Sequence, residues 1–291
     1  MTRFKTHALV LLCLGLSAAL PRAAHAAESY DNCTGFIDSL PATITTQGTW
    51  CLRRDLSTAI TTGAAITIAN NNITINCNDF KLGGLAAGAG TLARGIEAAN
   101  RFNTTVRSCN IRGFFYGLMF WGGGHTVEDN RFEGNTWTAM DLEGDGSTVR
   151  RNLVFNTGGS TQTNSATGIL VLDSADIIDN TVSGVTAIGN GFAIGINTQS
   201  NPDGRVIGNG VRGVVSAGPA AGGATAGIYN NTAGTAGRIA LRDNDVVGDG
   251  STGSVGISCD TSNSRARNNV ISGFATAIVS CSNDGGNALV P

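Results

Sequence analysis

Three acidic residues and one tryptophan stand at spacings that chemistry could use: Glu97, Trp121, Asp141 and Glu143. Asp141 and Glu143 are two positions apart, so an extended strand points both to one side, about 7 Å from each other. A carboxyl pair at about 6.5–9.5 Å suits inverting hydrolysis of a glycosidic bond. An indole beside it can stack on a sugar ring. Asp141-Leu142-Glu143-Gly144-Asp145-Gly146 also looks like the opening of a calcium loop, but Asn152 stands where the closing Glu is needed. No metal is expected. His125 follows Gly122-Gly123-Gly124; a lone His can act as a general base, and after a glycine run it reads as a turn residue. Gly189-Asn190-Gly191 lacks the third glycine and the following helix of a dinucleotide loop, so no cofactor is expected.

A repeat must position these residues. An aliphatic residue is followed three later by Asn, two further by an apolar residue, and usually two further by Gly. Val127-Asn130-Phe132-Gly134 shows the pattern, as do Ile177-Asn180-Val182-Gly184, Val206-Asn209-Val211-Gly213, Leu241-Asn244-Val246-Gly248 and Ala266-Asn269-Ile271-Gly273. Val149-Asn152-Val154 fits with Asn156 in the Gly place, and Val106-Ile111-Gly113 with Cys109 in the Asn place. Between these lie pairs of a small and a large aliphatic residue, from Gly95-Ile96 through Ala139-Met140 and Gly195-Ile196 to Ala277-Ile278. The step is about 27 residues, within the range of solenoid repeats. Short β-branched stretches with period-2 alternation, cut by Gly and Asn, predict strands, not helices. The expected architecture is all-β, a solenoid of about eight parallel coils. The recurring Asn is expected at a left-handed corner, with its amide bonded to the equivalent Asn one coil away.

In that register two outward ladders run along the second motif. One reads Glu97, Met119, Asp141, Leu170, Asn197, Tyr229, Ser258, Val279; the other Ala99, Trp121, Glu143, Leu172, Gln199, Asn231, Asp260, Cys281. Glu97, Asp141 and Glu143 are the candidate catalytic residues, and Trp121 and Tyr229 the candidate ligand-binding residues. The loops after Asn156, Gly184 and Gly213 accept insertions and could wall a cleft.

Composition sets the compartment. Arg3, Lys5 and His7 precede an apolar run from Ala8 to Leu20, and Ala24-His25-Ala26 offers small residues to a signal peptidase. Residues 1–26 are read as a signal peptide cleaved after Ala26, which predicts a secreted or periplasmic protein. Removing Arg3, Lys5 and Arg22 takes Lys+Arg from 19 to 16 against 21 Asp+Glu. That mild acidity argues against nucleic acid. No later stretch is long and apolar enough for a membrane span. Cys33, Cys51, Cys77, Cys109, Cys259 and Cys281 remain after Cys13 is removed, an even set that favours disulfides over metal.

With GTWCLRRDLS, IANNNITINCNDFKLGG and HTVEDNRFEGN as opening coils, the chain resembles the right-handed parallel β-helix proteins of the pectate-lyase-like superfamily. The resemblance implies residues 27–65 as an N-terminal cap and first strands, 66–282 as the β-helix, and 283–291 as a C-terminal tail. Within that register the economical bridges are local: Cys33–Cys51, Cys77–Cys109 and Cys259–Cys281. The superfamily's polygalacturonase signatures are absent, and so are its lyase, epimerase and esterase motifs; Gly124-His125-Thr126 and Gly237-Arg238-Ile239-Ala240 are only fragments. The expected function is therefore a carbohydrate-binding or interaction module acting on a polysaccharide or surface glycan. A polysaccharide lyase or glycoside hydrolase using the acidic face is the alternative, and a purely structural surface protein the third.

Overall fold

A computed structural model describes residues 30–199, 203–216, 225–231 and 238–290. The expected signal peptide lies outside the described residues. The compact unit runs from Asn32 to Pro291.

Each coil contributes one short strand to each of three sheets, met in the order first, second, third. The first sheet has ten strands, from Ala42–Ile44 to Thr276–Val279. The second has eleven, from Gly35–Phe36 to Ser282–Asn283, and the third ten, from Leu56–Ser57 to Ala288–Val290. Every adjacent pair is parallel and joins one coil to the next, as in the pairing of Val127 with Val149 and of Phe132 with Val154. This is the predicted right-handed parallel β-helix, the hand that parallel crossovers take.

The repeat is the core seen edge-on. The motif's first aliphatic makes the inward ladder of the second sheet: Ile75, Val106, Val127, Val149, Ile177, Val206, Leu241 and Ala266. Its second makes that of the third sheet, from Ile111 through Phe132 to Ile271; one coil earlier the rung is taken by Leu82 and not by Phe80, the residue the motif spacing gives after Ile75. These side chains are fully or almost fully buried, each Val, Leu, Ile or Phe among them worth about 1.5–3 kcal/mol relative to exposure. The sheets extend beyond the asparagine-marked units at both ends. Ala288–Val290, within the expected tail, is the last rung of the third sheet, paired with Val270–Ser272.

The asparagines form the expected ladder. The side-chain amide of Asn130 donates to Asn152, and the chain of bonds continues through Asn180, Asn209, Asn244 and Asn269 to Asn287, each 2.9–3.1 Å long. The left-handed residue at this corner is the one before the Asn, not the Asn itself: Asp129, Arg151, Asp179, Gly208, Asp243 and Asn268 all have positive φ. That corner turns the next amide inward, where its polar atoms need partners.

The structure joins Cys33 to Cys51, Cys77 to Cys109 and Cys259 to Cys281, with Cα separations of 5.8, 4.7 and 5.0 Å. Among the described residues no helix is long and apolar enough to cross a membrane.

Candidate functional site

The outer face of the first sheet carries the predicted ladders. Met119 aligns with Glu97 on one side and Asp141 on the other, and Asp141 then aligns with Leu170, Asn197 and Tyr229 in turn. Trp121 aligns with Glu143, Leu172, Gln199 and Asn231. The ladder breaks before Trp121. Phe120 pairs with Ala98 but Gly122 pairs with Arg101, so Ala99 and left-handed Asn100 form a bulge and Ala99 does not face Trp121.

A third ladder lies three residues upstream: Arg94, Tyr116, Thr138 and Thr167. The small residue of the second motif makes room for it. A Cβ on Gly117 would come 2.5 Å from the Ala139 carbonyl oxygen, and one on Gly195 2.6 Å from that of Gly227. Neighbouring backbones approach so closely at these two positions that any side chain, alanine included, would push them apart.

Asp141 is the centre of the face. It points outward yet is only 4% exposed, between Met119 and Leu170, and its Oδ1 makes no hydrogen bond. Burial, reinforced by the charge of Glu143, pushes its pKa up to about 7. An isolated carboxylate in such a site is costly, so the acid stays protonated into the neutral range. Burial, then the Asp141 charge, also lifts the Tyr116 phenol well above its usual range, with Arg94 opposing. Arg94 reaches Glu97 at 3.4 Å and donates from Nε to the Met119 sulfur at 3.1 Å. The Trp121 Nε1, a donor, is buried and makes no hydrogen bond. Tyr116 and Phe115 each pack a tilted ring against Trp137, with centroids 4.7 Å apart.

The face thus brings together Asp141, Glu143 and Trp121, with Glu97 two rungs away and held in its ion pair. Tyr229 stands apart, three rungs beyond Asp141, donating its hydroxyl to Asp260 at 3.2 Å. His125 is fully buried, accepting at Nδ1 from the Thr104 N–H at 3.4 Å, and burial holds its pKa down to about 4. It packs on Phe120 at 5.0 Å, as a core residue. Arg94, Tyr116 and Trp137 are additions to the sequence reading. For Arg94 and Tyr116 the signal was the position just before the small–aliphatic pair.

The segment from the end of the strand Leu153–Gly158 onward runs along one edge of the face. Gly158 donates to the Asn135 carbonyl, Ser160 to that of Thr136, and Thr161 to that of Ala89, at 2.9, 3.1 and 3.1 Å. It lies across the short connections at the strand starts. Trp121 is at the opposite edge, near the strand ends, and is half-buried there.

No protein-family model matches the chain, and no curated protein matches it. Solved structures do. The A-module of the Azotobacter vinelandii mannuronan C-5 epimerase AlgE6 is 16% identical, with 88% of this chain and 78% of that one covered and a TM-score of 0.47. The tailspike of E. coli bacteriophage HK620, solved with a pentasaccharide, is 13% identical over 85% of this chain and 59% of its own, with a TM-score of 0.48. The Dettilon tailspike protein is 14% identical over 84% of this chain and 60% of its own, at 0.46. The likeness is one of fold. The chain spans about three fifths of the length of these tailspikes.

Proposed function

We propose that the outer face of the first sheet, around Trp121, Asp141, Glu143 and Tyr116, binds a polysaccharide or surface glycan outside the cytoplasm. The observation that carries this reading is the meeting, on neighbouring rungs of one sheet face, of two half-buried aromatic rings, Tyr116 and Trp121, with the half-buried carboxyl group of Glu143. Glu143 offers acceptors to sugar hydroxyls at this surface, while Asp141 Oδ1 and Trp121 Nε1, which also lack partners, are closed off from solvent in the fold. Aromatic rings beside such polar groups are how sugars are held, stacked on one face and hydrogen-bonded at the rim. Three disulfides suit an oxidising compartment, extracellular or periplasmic. The acidic balance disfavours nucleic acid as a partner.

One observation favours a second reading. A carboxyl with a pKa near 7 beside another carboxylate is matched to general acid work at neutral pH. In that reading Asp141 protonates the departing glycosidic oxygen and Glu143 serves as the second carboxylate.

A glycan array with a reducing-sugar assay separates them. Under the binding reading Trp121→Ala weakens capture about tenfold or more, Asp141→Asn changes it modestly, and no sugar ends are released. Under the catalytic reading Asp141→Asn or Glu143→Gln abolishes turnover while binding persists. Absence of both binding and turnover across the array overturns both readings and leaves a structural protein.

A further inference from the structure

We infer that the corner just past Trp121, floored by Gly122, Gly123 and Gly124, is a further subsite for a neutral sugar ring. It rests on the glycan reading above and extends that face around the end of the strands.

The corner is an open depression of about 520 Å³, lined by Phe102, Asn103, the three glycines and Asp145. Its floor is bare peptide because side chains cannot be placed there. A Cβ on Gly122 would come 1.7 Å from the Arg101 carbonyl oxygen, and one on Gly144, in the coil beyond, 1.4 Å from that of Gly122. Both have φ values, +137° and +120°, that side chains rarely adopt. The coils press together here, and the three glycines leave a floor free of side chains between Phe102 and Asp145.

The walls have complementary chemistry. Phe102 aligns with Gly123, and its ring is 57% exposed, unusual for a phenylalanine with no ring contact among the described residues. Asp145 stands on the far side of the glycines, where its carbonyl accepts from Gly124 at 2.9 Å. Ser174 N–H donates to its Oδ1 at 3.0 Å, which fixes the carboxylate and leaves acceptor capacity for hydroxyls. Phe102 and Asp145 lie two rungs apart, about 10 Å, room for a ring stacked on the phenyl and hydrogen-bonded at the carboxylate. No cationic side chain lines the depression and its one charged group is acidic, so an anionic sugar is disfavoured. The depression begins at the residue after Trp121, so a chain seated on the indole enters it with its next units.

The test is binding of neutral oligosaccharides, disaccharide to octasaccharide, from whichever series the wild-type protein captures on an array. Phe102→Ala should weaken the longer members about tenfold and leave the disaccharide unchanged. Its melting temperature should match the wild type, because the ring is exposed. Asp145→Asn, which keeps the acceptor for Ser174, should give a smaller loss with the same length dependence. If Phe102→Ala binds every length as the wild type does while Trp121→Ala is impaired, the subsite is overturned and the glycan reading stands. If the wild type captures none, both fall.

Discussion

Two buried ionisable residues pull the stability of this protein in opposite directions over one pH range. Asp141 keeps its proton in the fold up to about pH 7, whereas an unfolded aspartate loses it near 4. The folded state holds more protons between those values, so stability falls as pH rises across them. His125 is the reverse: neutral in the fold down to about pH 4, it gains a proton near 6.5 when unfolded. Stability therefore rises with pH from about 4 to 6.5. Each slope reaches about 1.4 kcal/mol per pH unit, and in the wild type they nearly cancel. Asp55 and Asp129, held low by Lys81 and Arg151, titrate below this window. Asp141→Asn should unmask the histidine, with a melting temperature that climbs from pH 4 to 6.5 and exceeds the wild type by the largest margin above pH 7. A margin that is the same at pH 4 and pH 8 would show that Asp141 ionises normally in the fold. The sequence placed Asp141 outward but could not show that it is buried there, between Met119 and Leu170. Alternation reports direction, and burial on an outward face depends on neighbours in other coils.

The strand-and-corner unit was the most legible feature, because its spacing survives insertions elsewhere. Val127-Asn130-Phe132 reads directly as inward aliphatic, corner amide, inward apolar. The third outward ladder was not legible, since the close backbone contact at Gly117 and Gly195 adds a residue that breaks the period of two. Arg94 and Tyr116 were lost from view for that reason. The asparagine ladder gives this scale its prediction. The Asn180 amide donates to the Val149 carbonyl and to Asn209, its Oδ1 accepts from both the N–H and the side chain of Asn152, and its own N–H donates to Asn209. Alanine there leaves the buried Asn152 N–H without its acceptor and takes a donor from the Val149 carbonyl, while Asn209 Oδ1 keeps the backbone N–H of residue 180, a loss of about 1–3 kcal/mol. Asn156 has left-handed backbone too but is exposed. Its alanine variant loses only backbone preference, about 1 kcal/mol. Urea unfolding of the two variants should rank Asn180→Ala well below Asn156→Ala; equal midpoints would reduce the ladder to a row of turn formers.

At the scale of the whole solenoid, each coil touches only its neighbours, so stability is a sum of interfaces and the ends are its weak points. The disulfides follow that logic. Cys33–Cys51 and Cys259–Cys281 tie coils near the two ends, and each has one half-buried cysteine, Cys33 and Cys281. Cys77–Cys109 is enclosed, at 0% and 2% exposure, and Cys109 occupies the ladder position before Asn130, whose Oδ1 accepts from its N–H. Among the described residues, the rungs around Cys259–Cys281 need their bridge most. Leu289 aligns with the inward ladder of the third sheet but is 46% exposed, so this rung buries less apolar surface than those before it. Mild reduction should therefore open Cys33–Cys51 and Cys259–Cys281 first and leave Cys77–Cys109 intact, as mass mapping of alkylated protein would show. Hydrogen exchange should then report loss of protection in residues 259–290, while the strands Tyr116–Gly123, Thr138–Glu143 and Ala166–Leu172 exchange as before. Glycan capture, where present, should survive that treatment, since those three strands carry the face. Uniform loss of protection along the chain would instead mean that the coils fold as one cooperative unit and that the end bridges hold the whole.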